Sequence, residues 1–73
     1  MSIFRWTSKS EFFTPDGTRY DIVKYDDRIR KQAGLHRTIA GRSVVVAWFP
    51  DESDAILFAE TVLGGVHRYA AEG

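Results

Sequence analysis

Polar and apolar residues alternate most clearly in "TRYDIVKY" (residues 18–25), where Tyr20, Ile22 and Lys24 fall on one face of an extended chain and Asp21, Val23 and Tyr25 on the other. The preceding "TPDGT" supplies a turn. Pro15 presets the first turn angle, Asp16 suits the next position, and Gly17 accepts the positive φ that closes it. With "EFF" ahead of the turn, the pattern predicts a hairpin. "SVVVAWF" (residues 43–49) is a continuous β-branched and aromatic run, the pattern of a strand covered on both faces, which places it at the sheet centre with Trp48 in the core. "LHRTIAG" before it fits as its hairpin partner, with Leu35, Arg37 and Ile39 alternating against His36 and Thr38 and a turn at Ala40 and Gly41.

Two stretches carry helical signals. "DDRIRKQAG" predicts two turns capped by Asp26 or Asp27, ended by Gly34, and dependent on docking Ile29 and Ala33 against the sheet. "DESDAILFAETVLGG" predicts the main helix, about Glu52 to Leu63. Asp51 or Ser53 caps it, Asp51, Glu52 and Asp54 sit at the positive end of its dipole, and Ala55, Phe58, Ala59 and Val62 form its buried face. Gly64 and Gly65 end it, so residues 64–73 form a helix extension or a tail that docks through Val66 and Tyr69 or frays. "GTRYDIVKYDD" and "GRSVVVAWFPD" share a leading glycine, an apolar strand and a closing aspartate, which suggests a β-β-α-β-β-α order. The fold class is therefore α+β: one small domain over residues 1–73, an antiparallel sheet of three to five strands, and one main C-terminal helix packed on it.

Composition narrows this picture. A chain of 73 residues makes one domain and buries only about 60% of its unfolded surface, so its core must be dense. Ten aromatics make that feasible. Without cysteine there is no disulfide and no thiolate site, and His36 and His67 stand too far apart in sequence for a ligand motif, so neither metal nor cofactor is expected. No apolar run approaches the ~20 residues of a membrane span, and no signal-peptide order opens the chain, so a cytoplasmic protein without a membrane partner is expected.

Charge changes the picture more. The formal net charge is zero, yet residues 1–27 carry −1, residues 28–50 carry +5, and residues 51–73 carry −4. The basic middle consists of Arg28, Arg30, Lys31, Arg37 and Arg42. Three uses compete for it. Ion pairing with the acidic helix would contribute about 0–1 kcal/mol per pair. Phosphate binding, with Tyr20, Tyr25 or Trp6 as stacking platforms, would make the chain a nucleic-acid binder. A pI near 6.7 argues against that, because nucleic-acid domains usually lie above ~9. An acidic protein partner is the third use, with the mirror case of an acidic helix that imitates phosphates. Trp6, between Arg5 and Thr7, is the expected exposed anchor.

Catalytic patterns are missing. There is no G-x-S-x-G elbow, "AGRS" has His36 where a phosphate loop needs its first glycine, and the acidic pairs read as helix caps. In type, the chain is similar to small accessory or inhibitor proteins of phages and other mobile elements, anti-CRISPR proteins among them; that likeness of size, composition and polarised charge assigns no residue. The reading is a non-enzymatic protein-binding module that contacts an acidic surface through Arg28, Arg30, Lys31, Arg37, Arg42 and Trp6. A nucleic-acid binder using the same arginines and a small homodimer joined at an exposed strand edge are the alternatives.

Overall fold

The computed structural model describes residues 2–26 and 31–72. Five strands follow one another in it: β1 (Arg5–Ser8), β2 (Glu11–Phe13), β3 (Arg19–Asp26), β4 (Lys31–Ile39) and β5 (Arg42–Phe49). Each pairs antiparallel with its neighbour in sequence, so the sheet order is β1-β2-β3-β4-β5. One C-terminal helix follows, built from α1 (Glu52–Phe58), a π-helical segment (Ala59–Leu63) and α2 (Gly64–Glu72). The architecture is α+β, a five-stranded antiparallel sheet with a helix on one face.

Two of the hairpin turns follow directly from their residues. In "TPDGT" the Gly17 N–H donates to the Thr14 carbonyl at 2.9 Å, with Gly17 at φ +89°. The Thr14 hydroxyl donates to the Asp16 carboxylate, which also accepts from the Thr18 N–H at 3.2 Å. These bonds, the Thr14 hydroxyl first, hold the Asp16 carboxyl below its ordinary pKa. Asp16 therefore supports the turn above the ordinary carboxylate pKa, and that support is lost as pH falls through the lowered value. Between β4 and β5, Ala40 and Gly41 both take positive φ, 52° and 78°, as a two-residue turn matched to strand twist requires.

Registers set the faces. Trp6, Phe12, Tyr20, Arg37 and Val44 lie opposite one another across the five strands on the helix side. Ile22, Leu35 and Ala47 form the next row on that side. The core consists of Phe4, Phe12, Tyr20, Ile22, Ala33 and Leu35 from the sheet and its approach, closed by Ala55 and Ala59 of the helix. Phe12 is fully buried, stacked on Tyr20 at 5.1 Å and on Phe4 at 4.8 Å.

Four expectations change. The segment read as a short helix is strand from Lys31, because pairing with β3 extends to Asp26 opposite Lys31; Asp27 and Ile29 lie outside the described residues. The β-β-α-β-β-α order is thus replaced by five strands and one helix. "SVVVAWF" forms an edge strand, not the centre, since among the described residues no strand pairs on its far side. Gly64 and Gly65 do not end the helix, which continues through Gly64 at φ −59° to Glu72.

The π segment explains the changed helix face. The Thr61 hydroxyl donates to the Leu57 carbonyl at 2.7 Å, the acceptor that an α-helix offers to the Thr61 N–H. The turn widens there. Val62, expected on the buried face, is exposed together with Leu57, Val66 and Tyr69, whereas Leu63 packs on the core and His67 meets Phe4 edge-on at 5.4 Å. Val66 and Tyr69 therefore do not dock α2; His67 does. Asp51 caps the helix as expected, its carboxylate accepting from the Asp54 N–H at 2.9 Å.

The helix crosses from β5 towards β1, where Glu60 accepts the Trp6 indole N–H at 2.6 Å. We expect Glu60→Ala to lower stability by about 1–2 kcal/mol, because the half-buried indole N–H keeps only the longer Ser2 contact at 3.3 Å. Urea unfolding measures this, and a loss indistinguishable from zero would show that the tether is idle.

Candidate interaction surface on the open sheet face

Strand alternation sends Val23 and Tyr25 of β3, Gly34 and His36 of β4, and Trp48 of β5 to the face that carries no helix. Gly34 is the floor of this group. It is buried, and a Cβ built on it would lie 3.1 Å from His36 Nε2, 3.1 Å from Trp48 Cζ3 and 3.3 Å from Tyr25 Cε2. Three rings therefore close over one glycine. Tyr25 and Trp48 are 5.3 Å apart between centroids, in contact at a tilt, and Tyr25 and His36 are 6.1 Å apart.

Hydrogen bonds fix the His36 ring. His36 Nε2 lies 3.2 Å from the Tyr25 hydroxyl, and its Nδ1 lies 3.3 Å from the Ser43 hydroxyl. With both nitrogens engaged, His36 links Tyr25 to Ser43 across the open face. Trp48 is 42% exposed, and Val23 and Val46 beside it are exposed as well, so an apolar and aromatic patch spans β3 to β5.

Compared with known protein families, curated proteins and solved structures, the chain matches none.

The β1–β3 side of the open face carries charged side chains. Arg19 pairs with Asp21 at 3.1 Å and more loosely with Glu11 at 4.0 Å, and Glu11 accepts from the Thr7 hydroxyl at 2.5 Å. Arg5 stacks over Phe13 at 4.6 Å. These residues give the patch a charged border on its β1–β3 side.

Of the residues expected to bind a partner, those that the structure describes lie at separate places in the fold. Arg28 and Arg30 lie outside the described residues, and Lys31 opens β4 opposite Asp26. Arg37 lies on the helix side, in the row of buried Tyr20, with its Nε buried and without a hydrogen-bond partner. Arg42 closes the β4–β5 turn opposite Ile39. Trp6, expected as the exposed anchor, is half-buried against Phe12 at 4.5 Å with its N–H bonded to Glu60. Tyr20 is buried and offers no stacking surface. Trp48, expected in the core, is the exposed tryptophan.

A shallow cleft of about 260 Å³ lies beside Trp6, lined also by Ser8, Lys9, Ile56 and Glu60. Its one carboxylate is already committed to the indole N–H. Among the described residues no group of three His, Asp or Glu side chains is placed to hold a metal ion, and no helix is long and apolar enough to cross a membrane.

Proposed function

We propose that this chain is a non-enzymatic protein-binding module and that it engages its partner through the open sheet face, with Trp48 as the anchor. The observation that carries this reading is the exposure of Trp48 on a patch whose neighbouring rings are already packed and hydrogen-bonded. A large aromatic held in place before binding loses little side-chain freedom in a complex, which is why tryptophan is enriched among binding hot spots. Val23 and Val46 extend the apolar contact, and Asp21, Ser43 and Gln32 supply a polar rim. The +5 charge of residues 28–50 favours a partner with an acidic surface through long-range steering. In this reading the chain acts by occupying a partner's surface, as do the small accessory or inhibitor proteins that it resembles in type.

Stacking of nucleic-acid bases is the second use to which Tyr25 and Trp48 are suited. The carboxylates of Glu11 and Asp21 on the same face, which already engage Arg19, weigh against it.

The test compares the wild-type chain with Trp48→Ala in affinity capture and in titration of the captured partner. We expect affinity to fall by about thirtyfold or more, as for a hot-spot tryptophan, with the fold retained by circular dichroism. An unchanged affinity removes the open face as the contact. Salt-sensitive binding of labelled single-stranded RNA or DNA that Trp48→Ala abolishes transfers the site to the second reading.

A further inference from the structure

The two edges of the sheet are built differently. β1 is four residues long, carries Arg5, is interrupted by a bulge at Thr7 and runs into Lys9. Short length, charge and irregularity are the devices that keep an edge from pairing. β5 is eight residues long and holds no charge from Ser43 to Phe49. Its only irregularity is a bulge: Leu35 pairs with Ala47 and His36 with Val45, which leaves Val46 as the extra residue.

We infer that β5 is a self-pairing edge and that two copies of the chain join there, antiparallel, into one ten-stranded sheet. Charge placement supports a second copy as the occupant. The uncharged run is bounded by Arg42 at one end and by Asp51, just past Pro50, at the other. Antiparallel pairing brings the positive end of each copy to the negative end of its mate. Such a contact uses the same surface twice and closes on itself, so it gives a dimer and no fibre.

The bulge determines the register. On the helix side lie Ala47 and Phe49 beyond it and Val44 and Arg42 before it; on the open side lie Trp48 beyond it and Ser43 and Val45 before it. Opposed residues in a paired sheet share a face, and the register that keeps this along the run from Arg42 to Phe49 sets Val44 of one copy opposite Ala47 of the other and Ser43 opposite Trp48. The bulged valines then lie at the two-fold axis, and both helices lie on one side. This inference does not depend on the partner-binding reading.

Sedimentation equilibrium over a wide concentration range is the first measurement. The expected mass rises from the 8.3 kDa of one chain towards twice that value. A strict monomer at the highest concentration overturns the inference. Val46→Lys places a charge on the edge at an exposed position and should restore the monomer while the circular dichroism spectrum stays unchanged. A dimer that survives Val46→Lys overturns the edge as its site. The register is read by disulfides: Val44→Cys/Ala47→Cys should give a covalent dimer on a non-reducing gel, whereas Val44→Cys/Trp48→Cys, on opposite faces, should not. The reverse result overturns the pairing described. Val23→Lys, on β3 away from the β5 edge, is expected to lose the partner and keep the dimer, so the two proposals fail separately.

Discussion

Phe12→Ala is expected to destabilise the chain by about 3–5 kcal/mol, the usual cost of removing a fully buried phenylalanine ring. Phe12 is the middle of a stack in which Phe4, Trp6 and Tyr20 all lie within 5.1 Å of it, centroid to centroid. Its own strand has three residues, so the ring and not the ladder attaches β2 to the core. Neighbouring rings cannot collapse into the vacated space without leaving the strand positions that hold them. At roughly 0.05–0.15 kcal/mol per residue a domain of 73 residues has about 4–11 kcal/mol in total, so this one change removes a large share. Urea unfolding followed by circular dichroism measures it. A loss below about 1 kcal/mol would mean that the stack is not the centre of the core.

Gly34→Val should have the second-largest effect, and it should reach the binding face. The new Cβ already meets two rings at 3.1 Å, and the two methyl groups of valine add volume where Tyr25, His36 and Trp48 converge. Those rings must turn outward or the strand must shift, at a cost of about 1–3 kcal/mol. The His36 hydrogen bonds at 3.2 and 3.3 Å do not survive such a displacement. Two readouts are expected together: a lower unfolding midpoint, and tryptophan emission shifted towards that of a solvated indole. A variant with wild-type stability and emission would contradict the account of Gly34 as the floor of the ring cluster.

Some of this was legible in the residues. "TPDGT" and "AG" announce their turns by local chemistry alone, and Asp51 announces its helix in the same way. The basic segment misleads because Asp26 and Gly34 look like a cap and a terminator, while the pairing that makes Lys31–Gly34 a strand is made with β3 and is invisible locally. Glycine inside a strand does carry a signal, since it often marks a close approach by other atoms, and at Gly34 those atoms are the rings of the site. The two tryptophans exchange roles for a related reason. Trp6 has polar neighbours because Arg5 and Thr7 face the other side of β1, so a polar flank marks an inward residue. Trp48 has apolar neighbours because Ala47 and Phe49 face the helix, and it therefore points away. A continuous apolar run in an edge strand reads as buried on both faces, although only one face carries a helix. That difference is what exposes the patch.

The sheet order has a kinetic consequence. Because every strand pairs with its neighbour in sequence, hairpins can add one after another, and each new strand closes only a short loop. Long-range closure is left to the helix, whose Glu60 meets Trp6 across 54 positions. Folding should then reach a transition state with the β3–β4–β5 hairpins formed and β1 still free, so substitutions at the Trp6–Glu60 contact would speed unfolding and leave the folding rate nearly unchanged.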